Sequence, residues 1–423
     1  MSIMKIHGGR PLHGEVTIGG AKNSVVALIP AAVLSDNPVK LDMVPDILDV
    51  HNLMLILQSM NVSSYFTDGV LQIDPTEIKT GRLPSKAIKK LRASYYFMGA
   101  LLGKFHRAVV SFPGGDNIGP RPIDQHIRAF EALGAHVTEN GDTVYIDATE
   151  EGLTGAPIFF EMVSVGATIN AMLAATLAKG VTTIHNVAQE PEIVDIATFL
   201  NEMGANITGA GTDVIRIEGV SHLRSTKTHT VIPDRIEAGT YLSLAAAVGD
   251  GVLIKNVVPD HLRPFLAKLQ EMGVQLTVVD NTVYVKKRGT LKGVNVTTAP
   301  FPHFATDWQQ PLTPLLLTAN SESVITDTIY PKRQKHITQL QKLGAKISVN
   351  DRNQIIVHPT QELHGAEVSA GEIRAGAALM IAGLMAQGET VIKKSDNILR
   401  GYDNIERKLM DLHADVELIN QLD

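Results

Sequence analysis

Leu133-Gly134-Ala135-His136-Val137-Thr138, then Asn140-Gly141-Asp142 and Thr143-Val144-Tyr145-Ile146-Asp147, is the stretch whose reading decides the fold. A helical run, Asp124–Leu133, ends in an apolar residue. A glycine follows, then two short strands joined by a turn. Gly134 reads as the residue just past the helix end, in the left-handed region that glycine adopts at little cost. The signature recurs at Met60-Asn61-Val62, Met203-Gly204-Ala205, Met272-Gly273-Val274, Leu343-Gly344-Ala345 and Leu412-His413-Ala414, at intervals of 69 to 73 residues. Such a period marks a repeat architecture.

A second marker has nearly the same period. Helices rich in Ala, Gly and Ser are expected to start near Lys22, Arg92, Val165, Ile236, Gln309 and Arg374. They are apolar nearly all round, so they belong in a core, and their small residues let backbones approach closely. A short β-rich stretch follows, as in Gly180-Val-Thr-Thr-Ile184 and Gly388-Glu-Thr-Val-Ile392. One unit of about 70 residues therefore occurs six times. Six buried helices cannot share one small core. Two groups of three, with helices inside and sheets outside, are the natural packing, with a cleft expected between the two lobes.

The residues at the helix starts carry charge: Lys22, Arg92 and Arg374, with Glu237 and Asp307 in related places. Free N–H groups and the macrodipole make a helix N-terminus favour anions. One basic residue there is ordinarily a solvated first-turn side chain. Three in equivalent repeat positions point instead to phosphate or carboxylate, because first turns normally prefer acids.

Phe112-Pro-Gly-Gly-Asp-Asn-Ile-Gly-Pro-Arg-Pro122 holds three glycines and three prolines in eleven residues, which excludes a helix interior or a central strand. Gly114-Gly115 is a hinge-like pair, Asp116 sits at the tip, and Arg121 lies between Pro120 and Pro122. Such a composition most often marks a plain connection. An acid on a mobile loop beside a fixed arginine also suits a lid that closes on an anion and moves a proton.

Composition bounds the remaining choices. The 423 residues suggest two or three domains, and 44% hydrophobic with 19% charged residues fits large cores. A net charge of −6 argues against nucleic-acid binding driven by bulk electrostatics. With no cysteine there is no disulfide, no thiolate catalysis and no Cys-ligated metal. Met-Ser-Ile-Met-Lys-Ile-His7 lacks the apolar core of a signal peptide, and stretches such as Ala375–Ala386 fall short of a membrane span. A cytoplasmic protein is expected.

Gly20-Ala-Lys-Asn-Ser24, Leu91-Arg-Ala-Ser94, the Pro113–Pro122 loop, Ser164-Val-Gly-Ala-Thr168, Glu190-Pro-Glu-Ile-Val-Asp195, Pro233-Asp-Arg-Ile-Glu237, Thr306-Asp307 and Arg400-Gly-Tyr402 occur in this order. Each is weak alone, but the ordered set is specific. From about residue 5 to about residue 418 the chain resembles the UDP-N-acetylglucosamine 1-carboxyvinyltransferase family. The resemblance implies an α/β fold of two inside-out barrel lobes with three repeats each, about 22–231 and 1–21 with 232–423. It implies transfer of enolpyruvyl from phosphoenolpyruvate to the sugar 3′-hydroxyl, the first committed step of peptidoglycan synthesis, without metal or organic cofactor. The related 5-enolpyruvylshikimate-3-phosphate synthase is the nearest alternative enzyme. A weakly catalytic regulatory paralogue that binds UDP-sugar is another.

By that resemblance Lys22, Arg121 and Arg400 bind phosphoenolpyruvate, and Arg92 lies near the phosphate and nucleotide. Asp307 is the base, Asn23 orients substrate, and Asp116 is the acid that protonates C3. Pro122, Ile123, Asp124 and Gln125 frame the uracil. Ser164, Val165 and Gly166 offer a hydroxyl and N–H groups to the diphosphate, Ile329 contacts the sugar, and Arg374 belongs to the substrate-binding set. Glu190 and Asp234 are read as structural, and His126 as a packing residue.

The chain also departs from the family. Asp116 stands where cysteine is usual, as in a known subset, and the reference pKa falls from about 8.5 to about 3.9. Activity should therefore depend more steeply on acidity. Fosfomycin, which alkylates the loop thiol in this family, should find no target. Glu372-Ile373-Arg374 replaces Asp-Leu-Arg, Pro331-Lys332-Arg333-Gln334 replaces Glu-Asn-Arg-Phe, and Trp308 replaces Met, all at positions expected near the substrate.

Overall fold

The computed structural model describes residues 2–83, 95–111, 122–141, 143–148, 150–286 and 289–420. They form two compact units: one runs from Gly20 to Ile232, and the other joins the chain up to Gly19 to the chain from Pro233 on.

The repeat is visible in the backbone. Asn61, Gly134, Gly204, Gly273, Gly344 and His413 all take positive φ, between 61° and 104°. Four are glycine, for which this region is cheap. Asn61 and His413 adopt it without that freedom, so repeat geometry outweighs local preference at the outer two positions.

Each unit holds three of the buried helices among the described residues. They are Lys22–Ala32, Phe97–Phe105 and Val165–Ala175 in the first, and Arg235–Val248, Thr306–Leu316 and Ile373–Met385 in the second. Asn23 alone in the first of these is not buried, and Met385 alone in the last. The small residues explain how such helices fit together. A Cβ on Gly99 would lie 2.3 Å from the Asn170 carbonyl oxygen, and the Gly99 N–H instead donates to Asn170 Oδ1 at 2.8 Å. The Phe97–Phe105 and Val165–Ala175 helices thus meet backbone to side chain. The Thr306–Leu316 helix starts three residues before the Gln309 suggested by composition. Its beginning is set by extended Ala305 and by Thr306 Oγ1 donating to Asp327 Oδ2 at 2.6 Å.

Short sheets complete the repeats. In the second repeat, Thr143–Ala148 lies between Arg107–Ser111 and Ala135–Asn140, antiparallel to both. The alternating burial of strands such as Val214–Glu218 gives each sheet one apolar face to pack on the helices. The N-terminal strand Ser2–His7 pairs antiparallel with Glu389–Lys393 and Asp415–Asn420, and Leu12–Thr17 runs parallel to Gly249–Lys255. The chain start therefore completes two sheets of the C-terminal unit.

Trp308 is fully buried in that unit against Phe265 and Phe304, and its indole N–H donates to the Arg235 carbonyl at 2.9 Å. A Cβ on Gly239 would stand 2.5 Å from the indole, so the glycine makes room for it. At this departure from the family pattern the side chain is spent on packing inside the core.

Candidate active site

In the C-terminal unit, Asp307 is the second residue of the Thr306–Leu316 helix. Its Oδ1 accepts from Arg333 Nη1 at 2.6 Å, and its Oδ2 from Arg374 Nε at 3.3 Å. Arg333 also donates to Thr306 Oγ1 through Nη1 at 3.2 Å. Its Nε and Nη2 reach Glu372 Oε2 at 3.2 and 3.1 Å. Gln310 Nε2 donates to the other Glu372 oxygen. Two carboxylates and two guanidiniums thus form a balanced cluster. Removing charges from water costs several kcal/mol per ion, so such a cluster persists only with this density of hydrogen bonds.

Exposure separates its members. The Arg333, Glu372 and Arg374 side chains are 1–3% exposed, and Asp307 is 25% exposed. The carboxylate is the accessible end of an otherwise buried assembly. Burial pulls the Arg333 guanidinium down, but Asp307 and Glu372 more than offset it and hold it firmly charged. Burial likewise opposes the Arg374 charge, and Tyr402, Asp307 and Asp234 outweigh it. Arg374 lies over the Tyr402 ring, 5.2 Å from its centroid, and the Tyr402 hydroxyl bonds Thr240 Oγ1 at 2.8 Å. Arg374 Nη1 is buried and has no hydrogen-bond partner among the described residues. An orphaned guanidinium N–H is costly, and it would suit an anionic ligand.

Asp327 organises the segment beside the cluster. It accepts from Thr298 Oγ1 at 2.7 Å, Ile329 N at 2.9 Å and Tyr330 N at 2.8 Å. The Ile329 amide is thereby committed. Arg400 is half-buried at the end of the short Asp396–Leu399 helix. Asp234 caps the Arg235–Val248 helix, accepting from Ile236 N at 2.8 Å and Glu237 N at 3.0 Å. Glu237 accepts from Gly19 N at 2.9 Å and Lys408 Nζ at 2.6 Å. Asp234 and Glu237 thus have structural work inside their own unit.

In the N-terminal unit, Lys22 opens its helix and pairs with Asp49 Oδ2 at 2.9 Å. Asp49 is in the first turn of the Leu48–Ser59 helix and almost fully buried. Asn23 is the half-exposed neighbour. The Asp124–Ala132 and Val165–Ala175 helices pack together. Gln125 Oε1 accepts from Glu161 N at 3.1 Å while its Nε2 donates to Asp124 Oδ2 at 3.0 Å. The Gln125 hydrogen bond, opposed by burial, holds exposed Asp124 below the usual carboxylate range. Ile123 is half-buried and Pro122 exposed.

Ser164 caps the Val165–Ala175 helix by accepting from Ala167 N at 3.2 Å. Its hydroxyl oxygen is therefore engaged, and the hydroxyl hydrogen and the first-turn amides of Val165 and Gly166 are what it can present. A Cβ on Gly166 would come within 2.8 Å of the Tyr95 hydroxyl and 2.9 Å of His126 Nε2. Burial pushes His126 down to about 4, and it packs edge-on against Tyr95. It is a neutral packing residue.

Arg92, Asp116 and Arg121 lie outside the described residues. Sequence reasoning missed Asp49, Arg333 and Glu372 as partners. Asp49 could have been found as an acid in a helix first turn. The pairing of Arg333 with residues 26 positions before and 39 after it leaves no local signal.

The family pattern described as EPSP synthase (3-phosphoshikimate 1-carboxyvinyltransferase) matches residues 6–409. A protein of Lactiplantibacillus plantarum (strain ATCC BAA-793 / NCIMB 8826 / WCFS1) named UDP-N-acetylglucosamine 1-carboxyvinyltransferase 2 is 64% identical, over 99% of this chain and 98% of its own. The UDP-N-acetylglucosamine 1-carboxyvinyltransferase of Streptococcus pneumoniae serotype 2 (strain D39 / NCTC 7466) is 54% identical over 98% of both. Among solved structures, the enolpyruvyl transferase NikO from Streptomyces tendae superposes with a TM-score of 0.89 at 25% identity, covering 99% of this chain and 98% of that one. EPSP synthase from Acinetobacter baumannii gives 0.74 at 17% identity, covering 99% and 100%, a likeness of fold alone.

Proposed function

This chain belongs to the EPSP synthase (3-phosphoshikimate 1-carboxyvinyltransferase) family, and we propose that within it the chain transfers enolpyruvyl from phosphoenolpyruvate to the 3′-hydroxyl of UDP-N-acetylglucosamine. The observation that carries this reading is the 64% and 54% identity, nearly end to end, with proteins named for that activity. The shikimate enzyme shares the fold at 17% identity, which does not favour its substrate. A non-catalytic UDP-sugar binder would have no physical need of a half-buried, reachable carboxylate supported by two buried arginines.

The 3′-oxygen attacks C2 of phosphoenolpyruvate and gives its proton to Asp307, while C3 gains a proton from Asp116. In the tetrahedral adduct C3 gives a proton back to Asp116, the bond from C2 to the phosphate oxygen breaks, and the leaving phosphate takes up the proton held by Asp307, which resets both carboxylates. Asp307 suits the first role because it is ion-paired and reachable. Lys22, Arg121 and Arg400 hold phosphate and carboxylate, and the Arg374 Nη1 hydrogen completes an anion contact. Asn23 orients the acceptor. Arg92 lies near the phosphate and nucleotide. Pro122–Gln125, Ser164–Gly166 and the Ile329 carbonyl receive the nucleotide sugar. The reaction serves peptidoglycan synthesis in the cytoplasm. Among the described residues no helix is long and apolar enough to cross a membrane.

The test is phosphate release from phosphoenolpyruvate across pH, with UDP-N-acetylglucosamine or shikimate 3-phosphate as acceptor, with and without fosfomycin. Release should require the UDP-sugar, fall as Asp116 ionises towards alkaline pH, and persist in the drug, which forms no adduct on a chain without cysteine. UDP-sugar binding with no release at any pH would overturn the assignment.

A further inference from the structure

We propose that Arg333 is a positioning residue for the proton-accepting carboxylate of Asp307, and that Glu372 holds Arg333 in place. The proposal rests on the reaction assigned above and adds two residues to its machinery. The geometry is directional. Arg333 uses one edge, Nε and Nη2, to grip Glu372, and turns Nη1 to Asp307 at 2.6 Å and Thr306 Oγ1 at 3.2 Å. A planar fork fixed at one edge has no freedom left at the other. Arg374 Nε then fixes the second Asp307 oxygen at 3.3 Å. The carboxylate is thus set in rotation and in place, and it is the one member of the four that is more than marginally exposed. An error of about 1 Å in such a base costs about 100-fold in rate.

The charged and titratable groups around Asp307 come from each packed element. Among the described residues they include Arg333 and His336 at the Lys335–Lys342 helix, Glu372 and Arg374 at the Ile373–Met385 helix, Asp327 through Thr306, Asp234 and Tyr402 beyond Arg374, and Arg235 of the Arg235–Val248 helix over the neighbouring Trp308 ring. Burial and Arg333 push His336 down to about 3, so it stays neutral in assays near neutral pH. The two guanidiniums stay charged. Removing Arg333 therefore removes a cation from Asp307, and neutralising Glu372 removes the carboxylate that competes with Asp307 for Arg333. The two changes move the ionisation of Asp307 in opposite directions.

The experiment compares Arg333→Met, Arg333→Lys and Glu372→Gln with wild type. It reads kcat and KM across pH, together with the 13Cγ titration of Asp307 in unliganded protein, assigned by loss of the signal in Asp307→Asn. Arg333→Met should lower kcat about 100-fold, change either KM by less than about threefold, and move the acid limb and the Asp307 titration to higher pH. Glu372→Gln should move both to lower pH. Arg333→Lys keeps the charge and loses the fork, so the limb should hold while kcat drops about tenfold. If Arg333→Met does not fold, the other two variants decide. An Asp307 titration and acid limb unmoved by Glu372→Gln, with full kcat in Arg333→Lys, overturns the proposal and leaves the reaction standing. Asp307 titrations that shift as expected in the variants, with a wild type that releases no phosphate, support the positioning and remove the reaction.

Discussion

Lys22 and Asp307 stand at the same place in their two units, the first turn of a buried helix, and are supported in opposite ways. Among the described residues Lys22 is a cation paired with a buried acid, Asp49, at 2.9 Å. Asp307 is an acid backed by two buried arginines, one of them gripped by a second acid. The difference fits the roles proposed for each. An ammonium that attracts phosphate acts as a point charge and tolerates rotation. A base that takes one proton from one hydroxyl must be fixed in direction, and the guanidinium fork supplies that.

The largest effect that could break this contrast is at Asp307 itself. Asp307→Asn keeps the shape and the place in the cluster but cannot accept the proton, so kcat should fall about 10²- to 10⁴-fold with folding retained. Steady-state phosphate release measures it, and wild-type turnover would remove Asp307 from the base role. Asp49→Ala probes the other helix start. It removes the buried carboxylate paired with Lys22 and should cost about 3–5 kcal/mol of stability in urea unfolding. A loss within about 0.5 kcal/mol would mean that Lys22 is held by something other than this pair. Trp308→Met restores the residue usual in the family next to the base. It empties part of the Phe265–Phe304 pocket and removes the bond to the Arg235 carbonyl, so about 1–3 kcal/mol should be lost with kcat nearly unchanged. A fall in kcat with stability intact would show that Trp308 sets the position of Asp307.

What was legible in the sequence is what repeats locally. The left-handed residue past each helix and the small-residue helices depend on neighbours a few positions away, so Gly134 or Ala375–Ala386 can be read directly. The charged residues at Lys22, Asp307 and Arg374 were legible as candidates through their place in the repeat. Their partners were not. Asp49, Arg333 and Glu372 act through pairings created by the tertiary fold, and Pro331–Gln334 looked only like a departure from a pattern. The burial of Trp308 was not legible for a related reason: the glycine that accommodates it, Gly239, is in another repeat.

The smallest expected effect concerns a buried charge in the N-terminal unit that, unlike the arginines, can titrate. His229 is almost fully buried, with Nε2 at 3.1 Å from Asp195 Oδ1 and Nδ1 at 2.8 Å from Glu202 Oε2. Burial lowers its pKa, but the two carboxylates outweigh burial and the net shift is upward. A folded pKa above the unfolded value of about 6.5 means stability fully present below that pH and lost as pH rises through the folded value. His229→Gln should therefore be most destabilised relative to wild type near pH 6, and the gap should narrow on the alkaline side as wild-type His229 loses its proton. Urea midpoints of both proteins across pH measure this gap. The guanidinium cluster keeps its charge through the same interval, so Arg333→Lys should show a gap independent of pH. A His229→Gln gap as flat as that would mean that His229 does not change charge there, and the contrast between a titratable and a fixed set of buried cations would fail.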